Sequence, residues 1–397
     1  MVALCLLLSM VVFTKCINDT APPAITNDKG ETFAGSEKCR DCHKDIYESF
    51  VTTPHNITSQ LPSLKTVKGS FEEGKNMFVF SYYDQLLMQQ TDSGLYQVHY
   101  HGDAEKERRR MDIIIGSGVR GQSFVGWHND KLYQLPGSFF TSANAWVNSP
   151  GYRQFTPDFS RVITSRCLEC HVSFLKEAPT AQFVSKPDHS QIIYGVQCER
   201  CHGAASEHVA YQEEHPQEKK AKYITTLNKL SRVQSIDLCT YCHGGMRQSD
   251  KPAFDYVIGD TVKKSGLPQK VDTANFDVHG NLYDMLASSE CFKKSETLEC
   301  VSCHNPHENQ RKDMQVFSNH CMSCHSESKG NFCTIHDVSA NLLKTNCIDC
   351  HMPVKKSKML TVTAEGDLNA SKPAMLRSHY IGIYPKESEE FLSAEGW

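Results

Sequence analysis

Fourteen cysteines and seven histidines of this chain fall into one five-residue unit, Cys-x-x-Cys-His, which occurs seven times. In chain order the units are Cys39/Cys42/His43, Cys167/Cys170/His171, Cys198/Cys201/His202, Cys239/Cys242/His243, Cys300/Cys303/His304, Cys321/Cys324/His325 and Cys347/Cys350/His351, here numbered 1 to 7. Two thiols and an imidazole at this spacing suit the covalent attachment of a c-type haem. The thiols add to the two vinyl groups and become thioethers, and the adjacent imidazole ligates the iron. Tetrahedral zinc sites also use paired Cys-x-x-Cys units, and a dithiol redox site uses one. Neither needs His directly after the second Cys, and all seven units have it. With 18 Cys and 19 His in 397 residues, chance supplies on the order of 0.04 such units. The cofactor expected is therefore haem c, seven per chain.

Twelve histidines remain. A haem that only carries electrons takes a second strong axial ligand, which keeps the iron low-spin. Five stand out by position: His55 beyond the helix that follows unit 1, His208 in Cys201-His-Gly-Ala-Ala-Ser-Glu-His, His279 in Asp277-Val-His-Gly, His307 in Cys303-His-Asn-Pro-His, and His379 near the end of the chain. Three extended residues span at most about 10 Å. His304 occupies one face of its own haem, so His307 cannot reach round to the other and should ligate a neighbour. The same argument holds less strictly for His208, and a close-packed array follows. His99, His101, His128, His189, His215, His320 and His336 are weaker candidates, and Met352 suits haem packing. Five strong ligands for seven irons leave either two weak candidates in use or one or two open sites.

The elements that hold these groups are expected to be short. From Cys39 onward there is one unit per roughly fifty residues, so the macrocycles must supply much of the buried apolar volume. The fold class expected is a multihaem cytochrome c, mainly short α-helices and loops wrapped round a haem array, with a small antiparallel β insertion. Ile46, Tyr47, Phe50 and Val51 have helical spacing after unit 1. Between 65 and 145 the pattern turns strand-like, as in Met77-Phe-Val-Phe-Ser-Tyr-Tyr, and Asn129-Asp130 marks a hairpin. Gly116-Ser-Gly-Val-Arg-Gly121 matches the dinucleotide fingerprint in form. A strand and hairpin follow it instead of a helix, so it reads as a glycine-permitted turn with no nucleotide cofactor. The run Glu105-Lys-Glu-Arg-Arg-Arg110 reads as a solvated face. The segments expected are 1–16 signal peptide, 17–35 flexible tether, 36–64 first haem segment, 65–145 β-rich haem-free insertion, 146–385 six-haem domain and 386–397 C-terminal tail.

Net charge is −4 with 42 basic and 46 acidic residues, which argues against a nucleic-acid partner. Covalent haem attachment in bacteria takes place outside the cytoplasmic membrane and requires export. Val2 to Phe13 is an apolar run too short to span a bilayer and reads as a signal-peptide core. It stops at Thr14-Lys15-Cys16, so a lipoprotein signal with Cys16 as the lipidated N-terminus is expected. Lys15 and the missing basic residues before the apolar run depart from that pattern and leave a cleaved soluble form or an uncleaved anchor as alternatives. Cys291 and Cys333 lie outside the units and can pair as a disulfide in an oxidising compartment.

The chain resembles the multihaem c-type cytochromes related to the tetrahaem cytochrome of the hydroxylamine pathway. The resemblance rests on Cys39-Arg-Asp-Cys-His with Ile46-Tyr-Glu-Ser-Phe and Pro54-His55, Cys198-Glu-Arg-Cys-His-Gly with His208, Cys300-Val-Ser-Cys-His-Asn-Pro-His307, and Cys347-Ile-Asp-Cys-His-Met-Pro. It implies electron transport in the periplasm or at the outer membrane, with other redox proteins as donor and acceptor. No other catalytic constellation is evident, so a carrier is expected rather than an enzyme. The alternative is a multihaem reductase of nitrite, hydroxylamine, sulfite or tetrathionate type acting at an open-site haem. The Cys-x-x-Cys-Lys unit of pentahaem nitrite reductases is absent.

Overall fold

The computed structural model describes residues 24–152, 155–178, 186–245, 252–261, 277, 280, 282–336, 338–363 and 371–394. Strands dominate the first half. After β1 (Ser59–Gln60), strands β2 (Met77–Val79), β3 (Asp84–Thr91), β4 (Gly94–His101) and β5 (Ala104–Arg110) form a four-stranded antiparallel meander. Alternation sets its register: Leu86 and Met88 of β3 point inward while their neighbours are partly exposed. The seven-stranded sheet adds β6 (Ile113–Ile115), β7 (Gly121–His128), β8 (Lys131–Gln134), β9 (Gly137–Phe140), β10 (Ala145–Asn148) and β11 (Val162–Ile163) to β1. Its order is β1-β6-β7-β8-β11, and β9 pairs with both β7 and β10. Asn129 and Asp130 turn between β7 and β8 with φ of 48° and 58°, the left-handed pair that a two-residue hairpin requires.

The two sheets share a core of Phe78, Phe80, Leu86, Met88, Ile114, Phe124, Leu135 and Trp146. The β region is larger than the expected insertion. It draws in Ser59–Gln60 and Val162–Ile163 as edge strands, pairing with Ile114–Ile115 and Leu132–Tyr133. A second apolar cluster, Ile113, Val125 and Leu132 with Leu168, Val172 and Leu175, fastens the sheet to unit 2. There α3 (Ser165–Leu168) leads into the hairpin β12 (Val172–Glu177) and β13 (Pro187–Tyr194). A third cluster joins Phe140 and Val147 to Val362 and Ala374 of the hairpin β14 (Val354–Thr363) and β15 (Ser371–Arg377).

Helices elsewhere are short, and six of the seven units overlap one. They are α1 (Ser36–Cys42), α2 (Lys44–Phe50), the α3 already given, α4 (Cys198–His202), α5 (Ser206–Glu214), α6 (Arg232–His243), α7 (Leu282–Ser288), α8 (Glu290–Lys294), α9 (Met314–Met322), α10 (Ala340–Thr345), α11 (Ile348–His351) and α12 (Pro385–Ala394). Unit 5 sits in a 3-10 turn, Cys300–Ser302. Positions i, i+3 and i+4 share a helix face, so one turn presents both thiols and the imidazole together. The longest, α6, starts from a capping box between Ser231 and Gln234 and ends on His243. None of the described helices is long and apolar enough to cross a membrane.

Residues 24–35 are docked: Ala34 N and Gly35 N donate to the Glu199 carboxylate at 2.8 and 2.9 Å, and Phe33 packs on Phe174. A polar-looking segment is held because a buried acid in unit 3 accepts its amides. The helix α12 lies on unit 7, where Ser388 Oγ donates to Cys350 O. Residues 1–23, with the apolar run and Cys16, lie outside the described residues, as does His279.

Candidate haem sites

One cavity of about 2890 Å³ is lined by the cysteines and histidines of units 1, 3, 4, 5, 6 and 7. That is several times the volume of a single small-molecule site. Cys167, Cys170 and His171 of unit 2 do not line it. The units adjoin through their thiols. Cys39 of unit 1 contacts Cys198 of unit 3, Cys170 of unit 2 contacts Cys242 of unit 4, Cys239 of unit 4 contacts Cys300 of unit 5, and Cys321 of unit 6 contacts Cys347 of unit 7.

Across the cavity the imidazoles meet in pairs. The ring centroids of His55 and His243 lie 6.1 Å apart, those of His202 and His307 6.0 Å, and those of His304 and His379 6.2 Å. An iron at about 2 Å from each of two imidazole nitrogens holds the ring centroids about 6 Å apart. The cavity, the pair spacing and the thiols beside each pair therefore fit a haem at units 3, 4 and 5. All three pairs cross between segments distant in sequence. His307 faces His202 of unit 3, with the rings 9° from parallel.

Two further features suit iron ligation. Burial lowers His55, His304 and His307 below the ordinary imidazole range and takes His243 and His379 to about 4, so all five are neutral at pH 7. A neutral imidazole has the lone pair that a metal needs. Backbone carbonyls also fix the tautomer. Nδ1 of His202 donates to Thr225 O at 2.9 Å, that of His351 to Gly382 O at 2.8 Å, that of His325 to Asn331 O at 3.2 Å and that of His379 to Arg377 O at 3.3 Å. Each bond requires a proton on Nδ1 and leaves Nε2 open. His171 Nδ1 lies 3.1 Å from Thr58 Oγ1.

His208 is held in the same way, Nδ1 to Lys222 O at 2.8 Å, and lines the cavity from α5. The Lys38–Glu213 pair at 4.0 Å brings α5 to α1 and so to unit 1. No ring stands opposite His208 among the described residues. Of the weaker candidates, His99 and His101 both bond Asp84 Oδ1 in the β meander, His189 stacks on Trp127 and His215 on Tyr211. His128 meets Asn129, whereas His320 and His336 line the cavity. Cys291 and Cys333 are not bridged; Cys291 lies within electrostatic reach of Cys324, and Cys333 of Cys350.

Sequence reasoning missed the residues between the cysteines. Glu169 of unit 2 is 4% exposed. Its carboxylate accepts from Tyr241 Oη of unit 4 and from Phe254 N at 2.6 Å, and it pairs with Arg166 at 2.6 Å. Arg200 of unit 3 donates to Glu169 O at 2.9 Å and stacks over the Tyr241 ring. Three units are thus stitched by side chains from their variable positions. Glu199 accepts Ala34 N, Gly35 N and Ala205 N, and Asp349 of unit 7 pairs with Arg377 at 2.6 Å. The charge of these x residues was the one available signal.

Paired thioether-forming thiols, neutral imidazoles and an apolar cavity make this a c-type cytochrome site. Residues 144–203, which contain units 2 and 3, match the family described as cytochrome c554 and c-prime. The match supports a c-type cytochrome of the multihaem, electron-transfer kind with covalently bound haem c. No curated protein and no solved structure matches the chain.

Proposed function

We propose that this chain is an exported cytochrome with seven covalent haems, carrying electrons between redox proteins in the periplasm or at the outer membrane, with Cys16 as its lipid anchor. The kinship expected is with the tetrahaem cytochrome of the hydroxylamine pathway. The observation that carries the reading is the set of three imidazole pairs at 6.0–6.2 Å. Haem c, when bound, supplies a one-electron iron couple at each unit.

The chain's own residues do the rest. His243 with His55, His202 with His307, and His304 with His379 are the imidazole pairs that would each hold one haem iron, and an iron held by two imidazoles would leave no room for substrate and little rearrangement on redox change. The thiol contacts set the neighbours. They join unit 1 to 3, unit 2 to 4, unit 4 to 5 and unit 6 to 7. Glu169, Arg200 and Tyr241 hold units 2, 3 and 4 in fixed relation. Low-temperature EPR of the oxidised protein tests this. Signals of low-spin haem, unchanged by nitrite, hydroxylamine or sulfite, are expected. A high-spin signal that shifts with any of the three overturns the carrier reading.

A further inference from the structure

The Gly116–Gly121 loop of the β region is built to present one side chain. Gly116 N donates to Thr58 O at 2.7 Å, Thr141 Oγ1 to Gly118 O at 2.7 Å, and Thr141 N to Arg120 O at 2.9 Å. Gly116 and Gly118 have φ of 106° and 79°, and a Cβ on Gly121 would meet Phe139 O at 2.5 Å. Glycine is needed at each of these positions. Arg120, fixed in this way, lines the cavity of the haem units.

Two more guanidiniums line the same cavity, Arg311 downstream of unit 5 and Arg377 on unit 7. Arg377 is occupied: it pairs with Asp349 at 2.6 Å and donates to Met352 O at 2.9 Å. Arg120 and Arg311 have no ion pair or side-chain hydrogen bond among the described residues. Burial, and then the charges of Arg311 and Arg377, lower the Arg120 pKa, so the three groups feel one another. Asp349 answers Arg377, and Arg120 and Arg311 have no carboxylate within ion-pair distance among the described residues, although Glu308 and Lys312 line the cavity near Arg311. A wall with two such cations is costly until an anion joins it, and planar guanidinium suits the two oxygens of a carboxylate or an oxoanion.

The geometry points to an oxyanion site made by Arg120 and Arg311 beside units 5 and 7, through which the haem-free β region grips the array. Its occupant is a carboxylate or small oxoanion: the propionates of a haem bound there, or a free anion of the phosphate or sulfite type. This rests on the reading that the cavity holds haem.

The test uses the holo protein and its Arg120→Gln, Arg311→Gln and Arg120→Lys variants. Haem content is measured first, so that a sample lacking haem counts against the haem reading and not against this site. Midpoint potentials are then followed by visible absorbance in chloride, phosphate and sulfite at equal ionic strength. With propionate as occupant, Arg120→Gln lowers at least one potential in every salt, because a lost positive charge favours the oxidised iron, and Arg120→Lys restores most of the shift. With a free oxoanion, the wild-type potentials move saturably with phosphate or sulfite, and Arg120→Gln abolishes the response. Full haem content with wild-type potentials in both glutamine variants and no anion response overturns the site.

Discussion

His307→Ala is the sharpest single perturbation of this structure. Its ring stands 6.0 Å from that of His202, and its backbone is tied independently, Ser49 Oγ donating to His307 O at 2.6 Å and Asn309 Nδ2 to Thr52 O at 3.1 Å. The segment should therefore stay in place while unit 3 loses its second axial ligand. Ligation between His202 and His307 closes a loop of 307 − 202 = 105 residues. Chain entropy values a cross-link of that span at up to about 4.7 kcal/mol. The neighbouring hydrogen bonds retain part of it, so a loss of about 2–4 kcal/mol is expected. EPR of the oxidised variant should show one iron turned from low-spin to high-spin, with the haem count unchanged. Thermal unfolding should shift down in the same sample. A spectrum indistinguishable from wild type refutes ligation across units at this pair.

Other outcomes follow from the same structure. Glu169→Gln removes the carboxylate shared by Arg166, Tyr241 and Phe254 N, and should cost about 3 kcal/mol in denaturant unfolding. A loss below about 0.5 kcal/mol contradicts its stitching role. Burial raises the Asp84 pKa, but hydrogen bonds from His101, His99 and Ser81 outweigh it and hold the carboxyl at about 2. Its folded value lies below its unfolded one, so it adds stability above the ordinary carboxylate range, about 1 kcal/mol once solvent screening is counted. That contribution disappears as pH falls toward 2. Asp84→Asn should flatten this acid limb, and an unchanged profile argues against the linkage. Gly69→Ala drives a Cβ into the Trp146 ring and should destabilise the β region by about 1–3 kcal/mol, read as loss of near-UV signal on heating.

The seven units are readable because their chemistry is local: three residues within one turn. Reach along the chain pointed His307 toward a neighbouring unit, and its ring faces His202. The partners of His55 and His379 were not readable, since both pairs join segments far apart in sequence. Alternation in Leu95-Tyr-Gln-Val-His-Tyr and the left-handed Asn129-Asp130 pair announced β structure. The edge strands Ser59–Gln60 and Val162–Ile163 are two residues long and carry no period. Glu169, Arg200, Tyr241 and Glu199 were hidden in positions that haem attachment leaves free. Residues 24–35 looked like a tether because the acceptor for their amides, Glu199, lies about 165 residues away.

The central claim is that the thiols of all seven units are thioethers to haem. Intact mass of the purified holo protein under denaturing conditions, read beside its reduced absorption spectrum, measures this directly. A mass above the polypeptide by seven haems, with the sharp bands of reduced c-type cytochrome, is the predicted result. A colourless protein, or one whose cysteines react freely with a thiol reagent, contradicts it.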